Sequence, residues 1–164
     1  MRARGRRILV GALVVLGATG GCGSFQPRPL EEIPFRARAE VDERAGLRVS
    51  VAVLSREETK EAFGVDLYDL EIQPVWVRIE NSTETPFWLM LHGLDPNYFS
   101  AREAAYKSHY RLRPATNNRI DDHFERLGIY PAVPPMGETS GFVFSNVKLG
   151  TKEVRTRLFA GRRV

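Results

Sequence analysis

Leu47-Arg48-Val49-Ser50-Val51-Ala52-Val53-Leu54 alternates with a period of two, then runs into Ser55-Arg56-Glu57-Glu58, where the period changes. The alternation places Leu47, Val49, Val51 and Val53 on one face of a strand. β-Branched residues suit such a pleated, half-buried surface. Ser55 followed three residues later by Glu58 fits a capping box. Arg56 to Phe63 is therefore expected as a short helix, stopped by Gly64 at the position where a left-handed residue is favoured. A strand followed by a short capped helix, with further alternating runs downstream, points to a β-rich domain.

Downstream, Glu71 to Glu80 sets Val75, Val77 and Ile79 against Trp76, Arg78 and Glu80. Asn81-Ser82-Thr83-Glu84-Thr85 reads as a polar turn, after which Phe87, Leu89 and Leu91 alternate with Trp88, Met90 and His92. Two alternating runs joined by about five residues predict an antiparallel hairpin. Asn81-Ser82-Thr83 also matches a glycosylation sequon, read here only as the hairpin turn. Pro74 suits a strand end or edge better than a ladder centre, because it lacks an N–H. Ser100 with Glu103 is a second capping box, predicting a helix from Ala101 to Tyr110. A third helix is expected through Ile120, Phe124 and Leu127, capped by Asn117 or Asn118 and closed by Gly128. Pro131, Pro134 and Pro135 forbid regular helix beyond it. A last hairpin is expected from Gly141–Phe144 and Glu153–Phe159, turning at Leu149-Gly150-Thr151. The expected fold is mainly β: an immunoglobulin-like antiparallel sandwich with a helical insertion between residues 95 and 128. The alternative is an α+β fold, an antiparallel sheet with helices on one face.

The chain has 164 residues and one Cys. The single Cys excludes an intrachain disulfide framework and a Cys-based zinc site. The composition is 43% hydrophobic and 27% charged, which suits a globular domain and excludes collagen-like, coiled-coil and polytopic membrane chains. The formal net charge of +4 comes from 24 Lys and Arg against 20 Asp and Glu. Four of those cations, Arg2, Arg4, Arg6 and Arg7, precede residue 22, where no acid occurs. Beyond residue 21 the balance is 20 against 20, so the basic character gives no footprint for nucleic acid.

Those arginines are followed by an apolar run from Ile8 to Ala18, then Thr19-Gly20-Gly21 and Cys22. This is the layout of a secretory signal. The run is 11 residues long, too short for a membrane span, which needs roughly 17–25. Small residues directly before the sole Cys resemble a bacterial lipobox, although Thr19 stands where Leu is usual. Cys22 is the expected site of lipid attachment. The other readings are a soluble exported protein and a twin-arginine signal at Arg6-Arg7. Residues 1–21 are thus expected as a lipoprotein signal peptide. Residues 22–34, with Pro27, Pro29 and Pro34, are expected as the lipidated Cys and a tether. Residues 35–164 are expected as one globular β-rich domain. The protein would face the periplasm from the inner or the outer membrane.

Gly64-Val65-Asp66-Leu67-Tyr68, Ile72-Gln73-Pro74-Val75-Trp76-Val77, Ile79-Glu80-Asn81, Gly93-Leu94-Asp95-Pro96, Tyr98-Phe99 and Ser140-Gly141-Phe142-Val143-Phe144 carry a resemblance. Over roughly residues 25–160 the chain resembles bacterial lipoproteins related to LssY-like domains, a secretion-associated membrane group. The resemblance implies an exported, membrane-tethered domain and transfers no catalytic residue.

His92, Asp95, His109, Asp121, Asp122 and His123 are the residues that could form a metal or acid–base site. They lack a His-Glu-x-x-His spacing, and structural or solvated roles are expected for them. No Gly-x-Ser-x-Gly elbow or phosphate loop occurs. No cofactor, catalytic residue or metal ligand is assigned. Trp76, Trp88 and Tyr98 are the candidate partner-binding residues, extendable by Tyr106 and Tyr110, since aromatic side chains anchor interfaces. The plainer reading of both Trp rings is core. Lys148 to Val164 holds six basic residues against Glu153; the alternation of Arg155 and Arg157 predicts the solvent face of an edge strand, the alternative being contact with anionic headgroups or an acidic partner. The chain is accordingly expected to be a lipid-anchored envelope module that binds a protein partner without catalysis. The alternative is a metal-dependent hydrolase or metal-binding domain.

Overall fold

The computed structural model describes residues 25–91, 98–148 and 156–160. Residues 1–24 with Cys22, the His92–Asp95 segment and the turn expected at Leu149-Gly150-Thr151 lie outside the described residues. Chain order is β1 (Glu40–Arg44), β2 (Leu47–Val53), α1 (Arg56–Phe63), β3 (Ile72–Asn81), β4 (Phe87–Leu89), α2 (Ala101–Lys107), α3 (Pro114–Leu127), β5 (Ala132–Val133), β6 (Gly137–Asn146) and β7 (Leu158–Ala160). Strands β1-β2-β3-β6 form one antiparallel sheet in that spatial order, and β5-β4-β7 form a second.

Strand β3 and the C-terminal half of β6 are covered on both faces. Ala52, Ile72, Trp76, Phe142 and Phe144 face the helices, meeting Phe63 of α1 and Ile120 and Phe124 of α3. Val75, Val77, Ile79 and Val143 face the other way, against Leu89 and Val133 of the small sheet. The order is helices, large sheet, small sheet. The fold is α+β with two antiparallel sheets. Antiparallel sheet with helices on one face describes one side of it, and face-to-face sheet packing describes the other. The expected helical insertion is present as α2 and α3.

Phe63 organises the helix-side core. Its ring lies 4.9 Å from Phe124, 5.1 Å from Phe142 and 5.4 Å from Phe144, in tilted and edge-on contacts. Complete burial of each such ring contributes about 1.5–3 kcal/mol. Helix α1 is the predicted one, with a reciprocal capping box between Ser55 and Glu58 and Gly64 left-handed at φ 66°. Helix α2 also has its predicted box, Ser100 with Glu103. It stops at Lys107, earlier than expected, where Ser108 Oγ donates to the Ala104 carbonyl at 2.7 Å.

Several expectations are corrected. β3 and β4 do not form a hairpin: β3 lies between β2 and β6, and β4 lies in the other sheet. The expected turn is instead a crossing between sheets. Buried Asn81 holds it, with Nδ2 donating to the carbonyls of Thr85 at 2.8 Å and Pro134 at 2.9 Å. The last two strands likewise pair elsewhere, β6 with β3 and β7 with β4. Pro74 is within a central strand, but the β2 ladder ends at Val53↔Val75. The Pro74 carbonyl accepts from Leu54 N–H at 3.1 Å, so the missing N–H, on that same side, falls where β2 has ended. Helix α3 begins at Pro114 rather than at an Asn cap. Asn117 instead clamps the Tyr110 backbone, accepting its N–H at 2.8 Å and donating to its carbonyl at 3.0 Å.

The largest correction concerns residues 22–34. From Phe25 onward this stretch is part of the domain. Phe25 and Ile33 are buried in the helix-side core beside Phe35, and Arg28 N–H donates to the Glu61 carbonyl at 2.7 Å. The folded unit thus starts at or before Phe25, not at residue 35.

Candidate functional site

Among the described residues, the polar candidates His109, Asp121, Asp122 and His123 do not converge on one point. His109 follows α2, and its Nε2 lies 2.8 Å from Asp121 Oδ1 on α3. With the Asn117 clamp, this pair fastens the α2–α3 connection onto α3. His123 is two residues beyond Asp121, about 200° around the helix, so it points to the opposite side. There its Nε2–H donates to the Ala62 carbonyl at 2.8 Å, and Nδ1 accepts from Arg126 at 3.1 Å. That pairing assigns the neutral Nε2–H tautomer. Phe25 and Phe63 flank the ring at 5.6 and 6.2 Å. Burial, together with the charge of Arg126, holds the His123 pKa below the usual imidazole value. Asp122 is exposed beside it.

Among the described residues no group of three His, Cys, Asp or Glu side chains is placed to hold a metal ion. His109 and His123 are both engaged in holding elements together. One charge cluster ties α1 to the segment after it: Asp66 pairs with Arg56 at 2.6 Å and Lys60 at 2.8 Å, and Arg56 reaches Asp69 as well. Burial pushes Asp66 upward, but the bonds from Lys60 and Arg56 outweigh it and hold its carboxyl below the usual range.

The aromatic candidates separate by layer. Trp76 is 6% exposed and packs edge-on against Phe35 at 5.7 Å, within the helix-side core. It offers no surface to a partner, and this corrects its place among the partner-binding residues. Tyr98 is partly buried against the core between the two sheets. Trp88 is 46% exposed. Its neighbours Phe87 and Leu89 turn inward, so Trp88 stands on the outer face of the small sheet. There it is registered with Phe159 of β7, itself 55% exposed. Met90, 40% exposed, continues the same face by alternation. Tyr130 lines a groove of about 380 Å³ beside Trp88, together with Pro86, Ala132 and Pro134.

Thus the small sheet exposes a cross-strand aromatic pair, flanked by Met90 and the exposed Arg157. Phe159 and Met90 were missed as site residues in the sequence. Alternation marks their faces, but only strand pairing places Phe159 opposite Trp88. No helix of the described residues is long and apolar enough to cross a membrane. No protein-family model, curated protein or solved structure matches the chain.

Proposed function

We propose that this chain is a bacterial envelope lipoprotein, anchored through acylated Cys22 and acting in the periplasm as a non-enzymatic binding or assembly module. The observation that carries the reading is the order of the N-terminus: four arginines, an 11-residue apolar run, Thr19-Gly20-Gly21 and the sole Cys. The resemblance to LssY-related lipoproteins belongs to the same proposal. The binding role is supported by the exposed Trp88–Phe159 pair, since paired aromatic rings on one sheet face suit an interface anchor. The partner is another envelope protein, and the net-neutral stretch from Cys22 onward gives no reason to expect nucleic acid. The reading assigns no catalytic residue: His109 is hydrogen-bonded to Asp121, and His123 to Ala62 and Arg126.

The test is mass spectrometry of the protein purified from membranes. The expected N-terminal peptide begins at Cys22 and carries a diacylglyceryl thioether. Cys22→Ser is expected to move the protein from the membrane to the soluble fraction. A mature N-terminus elsewhere, with Cys22 unmodified, overturns the reading.

A further inference from the structure

Phe25 is 4% exposed, at the point where the chain joins the helix side of the domain. Its carbonyl accepts from Arg119 at 3.3 Å, and the Arg119 guanidinium lies 5.6 Å from the ring centre. Its ring also meets His123 edge-on and comes so near Gly64 that a Cβ there would sit 3.1 Å away. The next residues are tied as well: Arg28 pairs with Glu32 and Glu61 on its own face of the molecule. Only Gly23 and Ser24 separate Phe25 from Cys22. Three Cα steps span at most about 11 Å.

We propose that the domain rests directly on the lipid headgroups, with the Phe25–α3 side toward the bilayer and the Trp88–Phe159 face turned away from it. This rests on the reading of Cys22 as the acylated anchor. The two faces lie on opposite sides of the four-stranded sheet, because Phe25 belongs to one core and Leu89, beneath Trp88, to the other. Packed layers lie about 10 Å apart, so turning the small sheet onto the bilayer would lift Phe25 by about 20 Å, roughly twice the leash. A short leash therefore selects orientation as well as proximity. Arg119 and Arg126, seven residues apart on α3 and hence on one face with the exposed Asp122 between them, would then meet phosphate groups. The aromatic face is left free for a partner reaching in from the periplasm.

The experiment uses the acylated chain in phosphatidylethanolamine–phosphatidylglycerol vesicles containing a nitroxide-headgroup lipid. The Cys22 thiol is consumed by acylation, so Asp122→Cys or Met90→Cys supplies the only free thiol for a fluorophore. Both positions are exposed, one on α3 next to His123, whose ring meets Phe25, and one on the aromatic face. Quenching is expected to be several-fold stronger at position 122 than at position 90. A Gly-Ser linker of about twelve residues between Ser24 and Phe25, reaching about 20 Å, should erase the difference. Equal quenching, or stronger quenching at position 90, with Cys22 shown acylated by mass spectrometry, overturns the orientation alone. An unmodified Cys22 in the same sample overturns the anchor reading and the orientation with it.

Discussion

His123 ties two helices together. Its neutral ring bridges α3 to α1 through the Ala62 carbonyl, and burial depresses its pKa. On acidification the unfolded chain takes up a proton before the folded one does. Stability is therefore present above the unfolded value of about 6.5 and is lost as pH falls below it. His123→Gln keeps a donor for Ala62 and removes the titration. Its melting temperature should fall less steeply than the wild type's between about pH 7.5 and about pH 5, and parallel curves would refute this. Gly141 is the other residue-scale case. The backbone after α3 crosses β6 there, and a Cβ would lie 2.6 Å from Ile129 Cα. The crossing is held by Ile129 N–H donating to the Phe142 carbonyl at 3.0 Å. Gly141→Ala should cost about 1–3 kcal/mol, read from the urea midpoint, because backbone must move to admit the methyl. An unchanged midpoint would show that the crossing is loose. Gly64, with its positive φ, and Gly141, at a close backbone crossing, both have structural reasons for being glycine.

At the scale of elements, the local signals were legible and the pairings were not. Both capping boxes can be read from Ser55–Glu58 and Ser100–Glu103, because donor and acceptor lie within one turn of chain. Strand β1 gave no alternation, since all five of its residues are exposed. Its only sequence mark is Ala45-Gly46, whose positive φ values make the two-residue turn into β2. The β3–β4 hairpin failed because alternation reports which face is apolar, not which strand lies alongside. Residues 25–34 read as a tether because Pro and polar residues outnumber apolar ones there. Of their three apolar side chains, Phe25 and Ile33 are nonetheless buried and Leu30 packs against the same core. Phe25→Ala should therefore cost about 3 kcal/mol or more in equilibrium unfolding. A chain starting at Phe35 should melt well below one starting at Ser24. Equal melting would restore the tether reading.

For the whole molecule, the layer order decides what can be reached. Trp88 and Phe159 share a face that no described element covers, whereas Trp76 is sealed beneath Phe35. The double variant Trp88→Ala/Phe159→Ala should lower stability by less than about 1 kcal/mol, the scale of a cross-strand pair. It should also sharply reduce crosslinking of the protein to its neighbours in intact envelope. A large loss of stability would mean that the pair is part of the core; unchanged crosslinking would remove it as an interface. The candidate site was thus half legible: Trp88 stood out as an aromatic in an alternating run, but nothing local distinguished it from Trp76.

The sequence by itself determined the periodicities of β2 and β3, the two capped helices, the neutral charge beyond residue 21 and the expectation of a signal segment with lipid attachment at Cys22. Each depends on residues adjacent in the chain or on composition. Only the tertiary structure decided that the β3 valines face a second sheet, that Trp76 is core while Trp88 is surface, that His109 and His123 look away from each other, and that the chain is gripped from Phe25. Those outcomes depend on which distant segments share a core, and burial of apolar surface is non-directional until the layers are assembled.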